Sequence, residues 1–158
     1  MRLLLAVLLS LAVGERVPAV ALPSTDGKNV SPSDFVDRKP VLVAFFPAVF
    51  SPACTAQLKG YREQLPKFVE SSVQILAIST DSPFAQKAFA EAYKLPFPLL
   101  SDQGQEAMKA FGVSASREFY ATRSVFLFDK SGFLAYVDRA YEVGKSEPTL
   151  LEAVAALR

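Results

Sequence analysis

The chain has no histidine, no tryptophan and a single cysteine, Cys54, among its 158 residues. Without histidine it lacks the usual general base and the commonest metal ligand, which excludes Cys–His and Ser–His–Asp catalysis. A single cysteine excludes an internal disulfide, a Cys-x-x-Cys redox pair and a cysteine-based zinc cluster. Any chemistry that needs a second sulfur must therefore obtain it from outside this chain.

The chain also has little net charge, +1 at neutral pH. A basic face for nucleic acid is therefore not indicated, and we expect no nucleic-acid partner. Apolar residues make up 51% and charged residues 21% of the sequence, which is ordinary for a globular domain. Nothing in the sequence predicts a repeat, an interdomain linker, a bound cofactor or a metal.

The N-terminal segment has the pattern of a secretory leader. Arg2 precedes an apolar run at residues 3–13, and Ala12 and Gly14 are small residues where a signal peptidase reads them. The run is too short to span a bilayer. We therefore predict a leader or N-terminal extension at residues 1–14 and one domain at residues 15–158. The alternatives are a buried N-terminal strand or helix, or a start upstream of the true one, so export and a cytoplasmic location both stay open.

Apolar runs and helical patterns alternate along the chain. Residues 41–46 and 73–79 are apolar without alternation, which is typical of strands that are buried on both faces. Each is followed by a segment with apolar residues at helical spacing. The first of these helices contains Pro66, which should kink or interrupt it. This alternation predicts a parallel core of strands connected by helices.

Hairpins and caps complete the predicted fold. Residues 17–30 predict an N-terminal hairpin, and residues 122–137 predict a second one that adds antiparallel edges to the sheet. Serine–proline pairs at residues 31–32 and 82–83 predict helix N-caps, and a last helix is expected at residues 148–157. The predicted fold class is α/β, with a mixed central sheet, helices on both faces and an N-terminal β-hairpin.

The stretch most suited to chemistry is residues 41–54, in which a strand, a short loop and the start of a helix follow one another. Cys54 falls in the first turn of that helix. Backbone N–H groups are unpaired there and the helix dipole is positive, so the thiolate is favoured over the thiol. Ser51 offers a hydroxyl three positions earlier, and Pro47 shapes the loop. These residues together indicate an activated thiol.

Arg123 is the fourth candidate. It is a permanent cation at the start of a predicted core strand, where a charge needs a specific reason. If that strand lies beside the strand at residues 41–46, the guanidinium can reach Cys54. The sequence alone leaves this adjacency as an expectation.

Each candidate also has a simpler interpretation. A lone cysteine at a strand–helix junction is usually a small buried hydrophobe. Ser51 alone is more often a helix cap than a catalytic donor, and the loop prolines alone indicate only a loop. Arg123 could pair with Glu118 or Asp138 at the surface. The case for chemistry depends on the thiol, the hydroxyl and the helix N-terminus occurring together at one spacing.

The segment Pro-Ala-Val-Phe-Ser-Pro-Ala-Cys at residues 47–54 resembles the peroxiredoxin signature Pro-x-x-x-Thr/Ser-x-x-Cys. The resemblance covers nearly the whole chain from Gly14 on. The segments at residues 14–27, 98–102 and 123–132 resemble the family's opening, its Pro-Leu-Leu-Ser-Asp segment and its arginine strand. The segment at residues 45–50, together with the single cysteine, is most similar to the one-cysteine alkyl hydroperoxide reductase E group.

The resemblance implies a thioredoxin-like fold and a thiol-dependent peroxidase that reduces hydrogen peroxide or alkyl hydroperoxides through a sulfenic acid. Cys54 would be the peroxidatic cysteine and Arg123 the cation that holds its thiolate. Ser51 would contact the sulfur and the peroxide, and Pro47 would shield them. The family also implies a homodimer. With no second thiol in the chain, the reductant would be external: a low-molecular-weight thiol, thioredoxin or glutaredoxin.

Two positions depart from the family pattern. Gln57 stands where a glutamate commonly orients the arginine, and its neutral amide can accept a hydrogen bond without compensating the buried charge. Lys59 stands where some relatives carry a resolving cysteine. Two other functions stay open: a redox sensor that passes oxidation of Cys54 to a partner protein, and a non-catalytic binding protein in which the cysteine is inert.

Overall fold

A mixed five-stranded sheet forms the centre of the computed structural model, which describes residues 10–117 and 119–158. No helix in these residues has both the length and the apolar character needed to cross a membrane. The strands are β1 Leu22–Pro23, β2 Asn29–Val30, β3 Val41–Phe45, β4 Gln74–Ser79, β5 Leu99–Ser101, β6 Ser124–Phe128 and β7 Leu134–Asp138. The helices are α1 Pro52–Glu63, α2 Leu65–Glu70, α3 Pro83–Ala92, α4 Glu106–Phe111 and α5 Glu147–Ala155, with a 3₁₀ helix at Pro32–Phe35.

The strand order is β5-β4-β3-β6-β7. β3 is parallel to β4 and β4 is parallel to β5, which confirms the predicted parallel core. β6 pairs antiparallel with β3, and β7 pairs antiparallel with β6. The predicted hairpin therefore adds antiparallel strands at one side of the sheet, with β7 at the edge and β6 between β3 and β7. All five residues of β6 are buried, so the strand is covered on both faces and lies inside the sheet.

Alternate residues of the central strands enter two separate cores. On β3, Leu42 and Ala44 face one core, and Val43 and Phe45 face the other. Helices α1, α2, α3 and α5 contribute buried residues to the first core. Helix α4 and the 3₁₀ helix pack into the second, so the prediction of helices on both faces is confirmed.

Three helices begin with a serine N-cap and a proline at the first helical position: Ser31 before the 3₁₀ helix, Ser51 before α1 and Ser82 before α3. Each serine hydroxyl accepts a hydrogen bond from a backbone N–H of the first turn, and the missing N–H of proline costs nothing there. The predicted caps are therefore confirmed. The helical segment around Pro66 is divided at Gln64 into α1 and α2, as predicted.

The N-terminal region agrees only in part with its prediction. The hairpin exists, but each strand has two residues, and residues 17–21 are not strand. The predicted leader falls mostly on residues 1–9, which lie outside the described residues. Leu11 is buried, and the Gly14 N–H donates to the carbonyl of Leu134 at 2.8 Å. The boundary at residue 14 stays a prediction.

The turn between β6 and β7 depends on a glycine. Gly132 has φ of +87°, and a Cβ built there lies 2.8 Å from Val36 Cγ2. We expect Gly132→Ala to lower the free energy of unfolding by about 2–4 kcal/mol, because it adds an overlap to an unfavourable φ. Chemical denaturation measures this change.

Gly144→Ala is the matched control, since Gly144 has φ of +83° and no atom within 4 Å of the added Cβ. This variant adds only backbone strain, so its free energy of unfolding should fall by only about 1–2 kcal/mol. Equal losses in the two variants would show that contact with Val36 contributes nothing.

Candidate active site

Cys54 is fully buried in the first turn of α1. β3 ends at Phe45, residues 46–51 form a loop, and Ser51 begins the helix by accepting the Cys54 N–H on its Oγ at 3.3 Å. The central strand and the serine cap together determine where the helix starts. The thiol therefore belongs to the turn in which backbone N–H groups lack helical partners and the dipole is positive.

Arg123 reaches this thiol from the neighbouring strand. Phe45 pairs with Ser124, so Arg123, one residue before β6, lies beside the loop that leaves β3. Side chains alternate along a strand, so Arg123 shares a face with Val125, which packs in the same core as Cys54. Its Nη2 lies 3.5 Å from the Cys54 Sγ. The expected adjacency of the two strands is confirmed.

The simpler interpretation of Arg123 was an ion pair with Glu118 or Asp138. Glu118 lies outside the described residues. Asp138 accepts the Ala140 N–H at 2.9 Å, and none of the ion pairs among residues 10–117 and 119–158 includes Arg123. In this part of the chain the guanidinium donates to an amide and to the thiol instead.

Gln57 is that amide. Arg123 Nη1 donates to Gln57 Oε1, and Gln57 Nε2 donates to the Tyr61 hydroxyl oxygen at 3.0 Å. Gln57 and Tyr61 are 2% and 0% exposed, so no solvent can replace either partner. Tyr61 is not among the site residues predicted from the sequence. Its spacing of four residues from Gln57 was the available signal, because residues i and i+4 are neighbours on a helix.

The phenol behind Gln57 stays neutral. Burial raises the pKa of Tyr61 well above its ordinary value, and the nearby Tyr141 raises it further. Burial also raises the pKa of Tyr141 to about 12. The Tyr61 hydroxyl is therefore a neutral acceptor for Gln57 at physiological pH. The described part of the site contains a thiol, a cation, an amide and a phenol, with no carboxylate hydrogen-bonded to the cation.

Pro47 and Ser51 border the loop in front of Cys54. Pro47 is half-buried and follows Phe46, whose N–H donates to the Ile78 carbonyl at 3.0 Å and prolongs the pairing of β3 with β4. Ser51 acts as the helix cap. Among the described residues no hydrogen bond joins its Oγ to the Cys54 sulfur, so the predicted roles of both residues toward a peroxide stay predictions.

Hydrogen bonds hold the loop at residues 46–51 against the segment that follows β4. The Val49 N–H donates to Asp81 Oδ2 at 2.9 Å, and the same oxygen accepts from the Ser79 hydroxyl at 2.7 Å. Phe50 has φ of +64°, and its ring packs edge-on against an aromatic ring of α3 at 5.1 Å. Asp81 could not be identified from the sequence, because its contact with the loop joins segments 32 residues apart in the chain.

Fold and site define a class of protein that places one thiol at a helix N-terminus beside a permanent cation. The AhpC/TSA family model matches residues 13–137. The chain is 39% identical over 127 residues to the chloroplastic peroxiredoxin Q of Populus jackii, covering 78% of this chain and 58% of that protein. It is 37% identical over 128 residues to a putative peroxiredoxin of Mycobacterium tuberculosis, covering 77% of this chain and 81% of that protein. The chain spans less than two thirds of the length of the plant relatives.

Solved structures agree with these matches. Peroxidoxin BcpB from Mycobacterium tuberculosis has a TM-score of 0.85 at 26% identity, covering 94% of this chain and 99% of that one. A mutant of PrxQ from Xylella fastidiosa has a TM-score of 0.84, covering 92% of this chain and 96% of that one; at 20% identity it shows the fold alone. The chain therefore belongs to the AhpC/TSA family of peroxiredoxins, and its thioredoxin-like fold is confirmed. Its assignment to the one-cysteine alkyl hydroperoxide reductase E group stays a prediction.

We expect Asp81→Ala to expose the buried thiol. Loss of a hydrogen bond to a charged acceptor removes about 1.5–3 kcal/mol, which corresponds to about 10–100-fold more frequent opening of the loop. Labelling of Cys54 by a bulky thiol reagent, under conditions in which opening limits the reaction, should accelerate by that factor.

Asp129→Ala is the control, because Asp129 accepts the Phe133 N–H at 3.0 Å in the turn between β6 and β7. This variant also loses a hydrogen bond from a backbone N–H to a carboxylate, but one that does not hold the loop at residues 46–51. Similar labelling rates in the two variants would mean that Asp81 does not keep the loop closed.

Proposed function

We propose that the protein is a thiol-dependent peroxidase that reduces hydrogen peroxide or alkyl hydroperoxides, with Cys54 as the peroxidatic cysteine. The observation that carries this proposal is a buried thiol in the first turn of α1 with the Arg123 guanidinium 3.5 Å from its sulfur. Membership of the AhpC/TSA family and the names of the relatives support the same activity.

Ionisation of the thiol explains only a small part of such a reaction. An ordinary thiol is already about 3% ionised at neutral pH, so complete ionisation gains at most about 30-fold in thiolate. A less basic thiolate is also a weaker nucleophile, which removes part of that gain. The larger contribution must come from groups that stabilise negative charge on the peroxide oxygens as the O–O bond breaks.

The described residues offer three kinds of donor for that charge. Arg123 is close enough to the sulfur to contact an oxygen that reacts with it. Ser51 accepts the Cys54 N–H on its oxygen, which leaves the hydroxyl proton to be donated to the peroxide. Unpaired backbone N–H groups of the first turn are the third. Pro47 and the apolar loop would limit water, which strengthens all three interactions.

The reaction proceeds in two stages. The thiolate attacks one peroxide oxygen, the O–O bond breaks, and the other oxygen takes a proton and leaves as water or alcohol. Cys54 is then a sulfenic acid. An external thiol displaces water from it to form a mixed disulfide, and a second thiol releases Cys54 in its reduced form. Without that supply, further peroxide would oxidise the sulfenic acid to sulfinic acid.

The single cysteine and Lys59 support an external reductant. Lys59 occupies the position of the resolving cysteine of some relatives, so α1 offers no second thiol. We propose a low-molecular-weight thiol, thioredoxin or glutaredoxin for this step. Because Cys54 is fully buried, the thiol needs the loop at residues 46–51 to move before it can attack the sulfur.

We also propose a homodimer. Phe50 and Phe84 expose 52% and 84% of their surface, and large exposed aromatic side chains favour contact with a second chain. Both lie on elements that contact or flank the candidate site, since Phe50 belongs to its loop and Phe84 is the second residue of α3. Sedimentation of the purified chain tests this assembly directly.

The decisive variants are Cys54→Ser and Arg123→Ala. We expect the first to abolish peroxide reduction and the second to lower kcat/KM by about 100-fold or more, as for loss of a transition-state donor. Peroxide consumption with an added thiol measures both. Arg62→Ala is the control, since Arg62 lies on α1 but donates to the Tyr93 carbonyl. A near-normal rate in Arg123→Ala would refute the role of that guanidinium.

A stoichiometric pulse of peroxide separates the remaining functions. Mass spectrometry of a peroxidase shows one added oxygen on Cys54, and added thiols remove it repeatedly. Oxidation without turnover by any thiol would indicate a redox sensor that passes oxidation to a partner protein. No added oxygen would indicate an inert cysteine and a binding protein.

A further inference from the structure

We propose that Tyr61 is a positioning residue: its hydroxyl accepts the side-chain N–H of Gln57 and so holds the Gln57 carbonyl on Arg123. The inference rests on the proposed function, because the guanidinium that Gln57 orients is the one beside Cys54. It assigns a role to a tyrosine that touches neither the sulfur nor the peroxide.

An amide beside a guanidinium has a requirement that a carboxylate does not have. The Gln57 oxygen can accept from Arg123, but the amino group is a donor and needs an acceptor of its own. A glutamate at the same position would present two oxygens and no donor. Gln57 can therefore accept a hydrogen bond from Arg123 without leaving its own buried N–H unpaired only if an acceptor lies beside its amino group.

Tyr61 supplies this acceptor. The Gln57 Nε2 lies 3.0 Å from the Tyr61 hydroxyl oxygen, while its Oε1 accepts from Arg123. Both α1 residues are buried, so water does not compete for the amide. Four residues of separation put the two side chains on one face of the helix.

The phenol is held firmly in this position. The Tyr61 ring packs edge-on against Phe68 at 5.8 Å and against Tyr141 at 6.3 Å. Edge-to-face contacts of this kind are favourable and define the plane of the ring. These contacts hold the hydroxyl oxygen in place as an acceptor for Gln57.

The consequence reaches the sulfur through two contacts. Without the phenol oxygen, the Gln57 N–H is buried without a partner, and the side chain leaves its place to find one. Arg123 then loses the acceptor at Nη1, and its Nη2 is no longer held 3.5 Å from the Cys54 Sγ. A donor that is displaced in this way stabilises the transition state less.

The test compares Tyr61→Phe in two backgrounds. In the natural chain we expect the rate constant for oxidation of Cys54 by hydrogen peroxide to fall about 10-fold. In a chain that carries Gln57→Met the same substitution should change it by about twofold at most, because methionine has neither an N–H that needs Tyr61 nor a carboxylate to which the phenol could donate. Tyr136→Phe is the control, with a half-buried tyrosine of β7, and should have little effect in either background.

If Tyr61→Phe lowers the rate constant equally in the two backgrounds, Tyr61 acts only through packing. If it does not lower the rate constant in the natural chain, Tyr61 is dispensable. Either result overturns the proposal. Should Tyr61→Phe fail to fold, the double variant decides. It folds if the unpartnered amide is the cause, and its failure to fold contradicts the inference.

A second measurement is independent of peroxide. In the natural chain the side-chain N–H protons of Gln57 should exchange slowly with solvent in NMR spectra, and Tyr61→Phe should accelerate exchange by about 10-fold or more. Unchanged exchange overturns the positioning role. If peroxide instead fails to oxidise Cys54 in the natural chain, the proposed function fails, while the NMR result still decides the contact between Gln57 and Tyr61.

Discussion

The contact between the Arg123 guanidinium and the Cys54 sulfur is the interaction on which the rest of the site depends. It exists because β6 pairs directly with β3 in the sheet. The cation is carried by one strand, and the thiol follows the neighbouring strand by a short loop. The pairing of Phe45 with Ser124 fixes the end of one strand beside the start of the other, so the guanidinium and the sulfur are held close together.

A half-buried guanidinium needs acceptors, and the described residues provide them without a carboxylate. The Gln57 side-chain oxygen accepts one N–H of Arg123, and the Tyr61 hydroxyl oxygen accepts a side-chain N–H of Gln57. The neutral partners satisfy the hydrogen bonds but leave the positive charge uncompensated. We infer that this charge remains available to a thiolate or to a peroxide oxygen, which a neighbouring glutamate would partly neutralise.

The sequence was informative wherever structure follows from neighbours along the chain. The buried strand β3, the serine–proline caps, the interruption before Pro66 and the glycine turn at Gly132 were predictable, because each depends on local backbone preferences. The sequence was less informative about where each strand lies in the sheet. An apolar run such as residues 124–128 suits an interior or an edge position, and only the complete sheet shows that β6 is covered on both faces.

The sequence by itself determined where along its helix the thiol lies. The order of apolar run, loop, serine and proline starts a helix at Pro52, and this alone puts Cys54 in its first turn. Only the tertiary structure decided which groups surround that thiol. The contacts of Arg123 with Cys54 and of Asp81 with the loop join segments far apart in the chain. Their formation depends on strand pairing and on how side chains fill the space between sheet and helix, and no local pattern specifies either.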